Sequence, residues 1–168
     1  VNGASTFSGK QDDVQYHTHD VTTEDMGFVL FRFEDGSKGS FNVSQVSAGR
    51  KNRLSFEVNG SAASLAWDQE TPQQLWIGHR HQANQLLSDD PSLLNADIAA
   101  RARFPGGHIE GWPDAFRNMM QQFYLAVAQS APPTRDKATF ATFYDGAQVM
   151  SVVDAIVKSH QQQRWVKV

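Results

Sequence analysis

Apolar and polar side chains alternate through much of residues 25–67, and a period of two is the pattern of extended strands. Short turns separate strands that we predict over residues 28–33, 41–46, 54–58, 64–67 and 75–77. The first strand carries large apolar residues on both faces, Val29, Phe31 and Phe33 on one and Phe28 and Leu30 on the other. Consecutive strands joined by short turns pair antiparallel, so the sequence predicts an antiparallel meander whose two faces both need a cover.

Two amphipathic helices are predicted after these strands. Apolar residues recur at helical spacing from Trp112 to Val127, and such a stripe is typical of packing in a core. Asp145 can cap a second helix, whose inward residues are Val149, Val152, Val153, Ile156 and Val157. Residues 165–168 predict a last short strand. Strands followed by helices indicate an α+β fold, with an open, mainly antiparallel sheet and helices on one face.

Residues 78–107 form a long, polar and weakly periodic segment between the strands and the helices, with a short helix predicted near residues 91–94. Segments of this length in a compact domain are often functional. We expect this one to reach over a ligand site or a neighbouring chain.

Residues 105–114 form the segment that best suits chemistry, with the sequence PGGHIEGWPD. Glycines let the backbone approach a ligand, Pro113 suits the first helical position, and Asp114 complements the positive end of the helix dipole. An imidazole at His108 can bind a polar ligand or exchange a proton near neutral pH; alternatively, it caps or packs the loop. Trp112 could offer an apolar platform to a sugar ring, or it could simply open the packed stripe.

A turn between two predicted strands presents further hydrogen-bond donors at Arg50, Lys51 and Asn52. Such groups suit hydroxyls, carboxylates or phosphates, and we take Arg50 and Asn52 as additional candidates for substrate binding. The other interpretation is a solvated hairpin tip, with Asn52 supporting the turn backbone.

Several kinds of site are not supported by the sequence. The pairs His17 and His19, and His79 and His81, have strand spacing but no third ligand at a suitable distance, so we predict no metal site. No G-x-G-x-x-G or Walker pattern follows any strand, so this chain has no such route to binding a dinucleotide. The absence of cysteine excludes disulfides and thiolate ligands.

A length of 168 residues, 40% of them hydrophobic, is enough for one domain with a core. The formal net charge of -3 gives no electrostatic footprint for nucleic acid. No apolar run is long enough to cross a membrane and the first residues do not form a signal peptide, so we expect a soluble, cytoplasmic chain without nucleic-acid or membrane partners. Val1 is not methionine and residues 1–7 resemble a strand in progress, which indicates a fragment.

Several phrases along the chain occur in the order and spacing of a known family. They are TTED at residues 22–25, FEDGSKGS at 33–40, SQVSAGRKNRLSFEVNGS at 44–61, LAW at 65–67, PGGH at 105–108, FYDG at 143–146 and RWVKV at 164–168. Together they resemble the C-terminal domain of the Gfo/Idh/MocA oxidoreductases, the glucose-fructose oxidoreductase and inositol dehydrogenase family. The resemblance covers nearly the whole chain.

This resemblance implies that residues 1–168 are a single domain, which supplies the substrate-side wall and the oligomer contacts of a longer protein. NAD or NADP would be bound by an N-terminal Rossmann domain that is absent from these residues, and this chain alone would bind no cofactor. The family's glycine fingerprint, its E-K-P lysine and its D-x-x-x-H segment would also lie upstream of Val1. We therefore assign no catalytic residue here, and we expect only that the loop of His108 approaches the substrate.

The same resemblance explains a sheet with two apolar faces, because family members cover one face with helices and often pair subunits through the other. A homo-oligomer formed through the sheet face is therefore expected, with Phe28, Leu30 and Phe41 as candidates for the contact.

The leading functional hypothesis is a substrate-binding and oligomerisation domain of an NAD(P)-dependent sugar or polyol oxidoreductase, inactive without its Rossmann domain. Its candidate substrate-binding residues are His108, Arg50, Asn52 and Trp112. One alternative is a non-catalytic sugar-binding or assembly module. Another is an NAD-dependent lyase or glycosidase of the same family, which uses the cofactor transiently.

Overall fold

The structure is a computed structural model that describes residues 17–129 and 133–168. The strand expected at residues 1–7 lies outside the described residues. The chain forms two compact units, Val1–Asn52 and Arg53–Val168. The interpretation of residues 1–168 as a single domain stays a prediction.

The first unit contains a hairpin of β1 (Met26–Arg32) and β2 (Lys38–Ser44), which pair antiparallel. The turn between them closes with Gly36 donating to the carbonyl of Phe33, at 3.0 Å, and Gly36 adopts a φ of 87°. A positive φ favours glycine because it has no Cβ. The side chain of Asp35 accepts hydrogen bonds from the hydroxyl and the backbone N–H of Ser37, and these bonds lower the pKa of Asp35. Turn residues therefore fix this hairpin locally.

The two faces of the hairpin differ in their aromatic content. Phe31 stacks on Phe33 and on Phe41, with ring centroids 6.2 and 5.5 Å apart. Phe28 and Leu30 lie on the opposite face, where they are 75% and 68% exposed. Since Phe41 pairs with Val29, the three residues expected at one oligomer contact do not share a face, and that grouping is wrong.

The second unit begins with four antiparallel strands in sequential order, β3 (Ser55–Asn59), β4 (Ala63–Asp68), β5 (Gln74–His79) and β6 (Gln85–Ser88). The register places mainly apolar residues on one face, namely Phe56, Val58, Leu65, Trp67, Leu75, Ile77 and Leu87. The other face is largely polar along β3. Strand β6 is short and does not alternate, which is why the sequence pattern did not predict it.

The entry to β3 is held against the end of β4. The guanidinium of Arg53 donates through Nε to the carboxylate of Asp68, at 2.8 Å, and a second guanidinium nitrogen contacts the same oxygen. The N–H of Gln69 also donates to the carbonyl of Leu54, at 2.8 Å. These contacts extend the pairing of the two strands beyond their last ladder residues.

Three helices follow, α1 (Ala96–Ala99), α2 (Trp112–Ala128) and α3 (Phe143–Gln162). The side chain of Asn95 caps α1 by accepting a hydrogen bond from the N–H of Ile98. At the start of α3 the N-cap is Thr142, whose N–H and hydroxyl both donate to the carboxylate of Asp145 at 2.7 Å. Asp145 therefore serves as the reciprocal third residue and not as the predicted cap.

Antiparallel sheets and three helices confirm the predicted α+β fold. The placement of all helices on one sheet face stays a prediction. The expected strand at residues 165–168 is wrong, because α3 ends at Gln162, Gln163 turns the chain with a φ of 51°, and no described strand pairs with the tail.

The expected packing of the helices is also wrong in part. Ala155 is the one buried apolar side chain among the described residues. The α2 stripe is exposed, at Trp112, Phe116, Met119, Met120, Phe123 and Val127. In α3, Val152 and Ile156 are half-buried, whereas Val149, Val153 and Val157 are exposed. An apolar stripe is buried only where a second layer covers it, and the described residues do not supply that layer.

Candidate functional site

A tight turn presents His108 ahead of α2. The N–H of His108 donates to the carbonyl of Pro105, at 3.2 Å, and Gly107 has a φ of 85°. This arrangement fits a type II turn, whose third position favours glycine. Gly107 is therefore favoured by the backbone of the turn, whereas the conformation of Gly106 is open to other residues.

The imidazole of His108 is oriented by the same carbonyl. Its Nδ1 lies 3.3 Å from the oxygen of Pro105, and a carbonyl oxygen can only accept. In the tautomer whose Nδ1 carries the hydrogen, the ring donates to this carbonyl and Nε2 is left as a hydrogen-bond acceptor. The side chain is exposed, so Nε2 is accessible to a ligand. The ring contacts its own loop, and the role of His108 in substrate binding stays a prediction.

A carboxylate closes the loop that carries His108. Glu110 accepts hydrogen bonds from the N–H groups of Arg103 and Phe104, at 2.6 and 2.9 Å. The guanidinium of Arg103 in turn contacts the side chain of Gln121 on α2. The sequence interpretation did not identify Glu110, because its contacts span six and seven residues and follow no periodic pattern.

The start of α2 is capped by the side chain of Asp114, a residue of the helix itself. Gly111 is the N-cap, and its N–H donates to Oδ2 of Asp114, at 3.0 Å, while Oδ1 of Asp114 pairs with Arg117 at 3.2 Å. Pro113 occupies the second helical position and not the first, because the helix begins at Trp112. Asp114 lies in the first turn, as predicted from the helix dipole.

Trp112 lies four residues after His108, and its indole stacks on Phe116 with centroids 5.4 Å apart. It is 64% exposed, so it opens the α2 stripe without being buried by it. An exposed indole supported from one side can serve as a platform. The role of Trp112 in substrate binding stays a prediction.

The other two candidates lie in the first unit. Arg50 and Asn52 are exposed and directly follow a turn at residues 48–49, where Gly49 has a φ of 83°. His108 and Trp112 lie in the second unit. His108 and Trp112 thus lie four residues apart in one short segment of the second unit. The roles of Arg50 and Asn52 stay predictions.

The long segment before the loop has more structure than its polarity indicated. It contains β6, a 3₁₀ turn at Pro91–Leu93 and α1. The predicted helix near residues 91–94 is therefore present as the 3₁₀ turn, where Asp90 accepts from the N–H of Ser92 at 2.9 Å and bonding to Ser92 lowers the pKa of Asp90. Asn118 of α2 donates to the carbonyl of Arg101, at 3.1 Å, which fastens the end of the segment to that helix.

The histidine pairs show no metal-binding geometry. His17 and His19 are exposed, and the ring of His79 lies 3.0 Å from the amide oxygen of Gln85. Within residues 17–129 and 133–168, no group of three His, Asp or Glu side chains could hold a metal ion.

Comparison with known proteins supplies the decisive observation. Residues 3–168 match the model of the Gfo/Idh/MocA oxidoreductase family, C-terminal alpha/beta domain. The chain belongs to this family. The match confirms the resemblance drawn from the ordered sequence phrases.

Solved structures show the same fold as this Gfo/Idh/MocA domain. An oxidoreductase from Sinorhizobium meliloti is 32% identical with a TM-score of 0.76, over 87% of this chain and 42% of that one. An inositol dehydrogenase homolog from Azotobacter vinelandii, complexed with NADH and myo-inositol, is 27% identical with a TM-score of 0.78, over 86% and 39%.

A curated relative of the Gfo/Idh/MocA domain is the levoglucosan dehydrogenase of Pseudarthrobacter phenanthrenivorans, 25% identical over 150 residues, which are 88% of this chain and 37% of that protein. The chain thus spans about two fifths of the length of these three relatives. Among the described residues, no helix is both long and apolar enough to span a bilayer.

Proposed function

We propose that this domain forms the substrate-binding wall of an NAD(P)-dependent sugar or polyol oxidoreductase. The main support for this proposal is the match of residues 3–168 to the C-terminal domain of an oxidoreductase family. Relatives of this domain include proteins described as levoglucosan dehydrogenase and as an inositol dehydrogenase homolog complexed with NADH and myo-inositol. Both names point to ring compounds rich in hydroxyl groups.

The cofactor does not fit the described residues of this domain. The N-termini of the two long helices would be the natural anion sites, but each is capped by a carboxylate, Asp114 in α2 and Asp145 in α3. Neither helix directly follows a strand, as a dinucleotide-binding helix would. We therefore assign NAD(P), which would accept or supply a hydride, to another part of the whole protein, as expected of a Rossmann domain.

The proposed role of His108 follows from its hydrogen bonds. With Nδ1 donating to the Pro105 carbonyl, Nε2 can accept a hydrogen bond from a substrate hydroxyl. Glu110 keeps the loop closed and so limits the movement of that imidazole. His108 thus orients the substrate, and Trp112 packs against the apolar face of the substrate's ring. Arg50 and Asn52 are proposed as additional donors to substrate oxygens.

Kinetics of the full-length protein would test this role, with myo-inositol and levoglucosan as the first substrates. We expect His108→Ala to lower kcat/KM by about tenfold to a hundredfold, the range for losing a polar contact to a reacting group, with unchanged cofactor affinity. His160→Ala, an exposed histidine in the last turn of α3, is the matched control. Equal losses of turnover and cofactor affinity would instead indicate a structural role for the loop.

Titration with NAD(H) and NADP(H) tests the assignment of the cofactor. The full-length protein should bind one of them, whereas this chain alone should bind neither. Product analysis then separates oxidation from the elimination or glycosidic cleavage of the alternative hypothesis. A full-length protein that binds neither cofactor would leave a non-catalytic sugar-binding or assembly module.

We also propose that the domain contributes to a homo-oligomer through the exposed face of the β1–β2 hairpin. Phe28 and Leu30 lie side by side on this face, and such exposed apolar pairs are typical of contact surfaces. The double variant Phe28→Ser and Leu30→Ser should lower the mass of the full-length protein in sedimentation. Val43→Ser, an exposed residue of the opposite face, is the control. An unchanged mass in the double variant would contradict the proposal.

A further inference from the structure

The four-stranded sheet contains an open depression of about 590 Å³ at one end. It lies where the β3–β4 turn and the β5–β6 turn come to the same end of the sheet. Most of its lining is polar, with Asn59, Ser64, Arg80, His81 and Asn84 around the indole of Trp76. We call it the Trp76 depression.

A glycine makes room for the indole that forms the apolar part of this depression. A Cβ added at Gly78 would lie 2.4 Å from Cη2 of Trp76, closer than any real contact. The six-membered ring therefore covers Gly78, which is buried, while Trp76 itself stays 37% exposed. The sheet thus holds an aromatic surface in a defined place and leaves part of it accessible.

A row of hydrogen-bonding side chains lies beside the indole on the same sheet face. The hydroxyl of Ser64 donates to the amide oxygen of Asn59, at 2.7 Å, and the amide nitrogen of Asn59 donates to Glu57, at 2.8 Å. The register places Ser64 directly opposite Gly78. Each group keeps hydrogen-bonding capacity, since the hydroxyl oxygen can still accept and the amide nitrogen has a second hydrogen.

The turns that border the depression are held by polar contacts of their own. Nε of Arg80 donates to the carbonyl of Ser61, at 2.5 Å, and one of its terminal nitrogens donates to the carbonyl of Gly60, at 3.4 Å. The amide oxygen of Asn84 accepts from the N–H of His79, at 3.0 Å. Arg80 therefore joins the β3–β4 turn to the β5–β6 turn, so the polar rim is pre-organised.

We propose that the Trp76 depression binds the ring of a neutral saccharide. The C–H groups of a sugar ring pack against an aromatic side chain, and its hydroxyls both donate and accept, which matches the Asn59 and Ser64 row. A simple anion suits the site less well, because two guanidinium nitrogens of Arg80 already donate to carbonyls and Glu57 adds negative charge to the row. This proposal is independent of the proposed function, since none of its residues belongs to the His108 loop.

Fluorine NMR of the full-length protein labelled with 5-fluorotryptophan would test it. The signal that disappears in Trp76→Leu identifies Trp76, and the probes are the methyl glycopyranosides of glucose, galactose and mannose. We expect a saturable shift of the Trp76 signal, an unchanged Trp165 signal, and the same shift in His108→Ala. Ser64→Ala, which removes one hydroxyl, should weaken binding by about fivefold. Trp76→Leu should weaken it by about tenfold, as measured by calorimetry.

Trp165→Leu is the matched control, since it removes an exposed indole elsewhere in the same unit. Circular dichroism and thermal unfolding of each variant show whether the fold is retained. If Trp76→Leu unfolds, Trp76→Phe identifies the signal and Ser64→Ala tests the binding. The proposal is wrong if no glycoside shifts the Trp76 signal at concentrations up to solubility. It is also wrong if inorganic phosphate shifts the signal and the glycosides do not, or if Ser64→Ala binds with full affinity in a folded protein.

Discussion

The loop of residues 103–111 and the apolar stripe of α2 are neighbours in sequence, yet they are held in different ways. The loop is closed by polar contacts within itself: Glu110 accepts two backbone N–H groups, and the Pro105 carbonyl accepts from His108. The stripe has large apolar side chains that stay exposed, although Trp112 stacks on Phe116. One region has its partners within a few residues, and the other does not.

This difference separates contacts that a short segment can make alone from burial that needs a second layer. A hydrogen bond needs one donor and one acceptor, and both can come from the same short segment. Burial of a stripe requires a second layer, and exposed apolar surface of this extent is typical of a contact surface. Among the described residues, the loop contains its own hydrogen-bond partners, whereas the stripe remains exposed.

The largest effect is expected from a truncation within the stripe. If a second layer covers α2 in the full-length protein, Phe116→Ala should lower its free energy of unfolding by about 3 kcal/mol, the usual cost of truncating a buried phenylalanine. Phe143→Ala, at a side chain that is 99% exposed, should change it by less than about 0.5 kcal/mol. Chemical denaturation measures both values. Equal small effects would contradict the covered stripe.

A smaller loss should follow when the loop is opened. Glu110→Ala leaves the N–H groups of Arg103 and Phe104 without their carboxylate acceptor, which should cost about 1–2 kcal/mol. Hydrogen exchange at these two amides should become faster, while the amides in the middle of α2 keep their rates. Glu34→Ala, an exposed acid of the β1–β2 turn, is the control. Unchanged exchange at both amides would show that Glu110 does not close the loop.

A change of backbone conformation at the loop should lower the free energy of unfolding by less than the loss of Glu110. Gly107→Ala should cost about 1 kcal/mol, because alanine is strained at a φ of 85° although no atom lies within 4 Å of the added Cβ. Gly106→Ala is a sensitive control, since its Cβ would meet Asp90 at an ordinary contact distance of 3.5 Å. The Tm of Gly107→Ala should be lower than the Tm of Gly106→Ala. The reverse order would contradict the turn geometry.

The smallest effect on stability is expected from protonation of Asp145, at the start of α3, as the pH is lowered. Hydrogen bonds from Thr142 lower the pKa of Asp145 in the folded protein, so the charged carboxylate stabilises the fold above its unfolded pKa of about 4. That contribution is lost as the pH falls through the lower, folded value. The difference in Tm between the protein and Asp145→Asn should therefore shrink from pH 6 downwards to about pH 2. Asp154→Asn, further along α3, is the control.

The features that were predicted correctly are those with short-range causes. The acid in the first turn of α2 follows from the position of Asp114 directly after the predicted helix start. The strand order of β3, β4 and β5 follows from alternation and short turns. The predicted second strand began three residues late, because Lys38, Gly39 and Ser40 pair with β1 although they are polar or small.

The features that were missed depend on partners beyond the local segment. Four residues of β6 gain their conformation from pairing with β5, and the tail at residues 165–168 has no described strand to join. The closure by Glu110 lies within one loop and was missed for another reason, since it spans seven residues and shows no periodicity. Exposure of the α2 stripe could not be read from its spacing, because the same spacing serves a core and a contact surface.

The contact between Arg53 and Asp68 bears on how the four-stranded sheet avoids misalignment. A shift of one residue between β3 and β4 would turn Phe56 and Val58 from the apolar face to the polar face. The same shift would separate the guanidinium from its carboxylate, because Asp68 lies opposite Ser55, two residues after Arg53. The contact of Arg53 with Asp68 therefore favours the observed alignment of β3 and β4, the first pair of the four-stranded sheet.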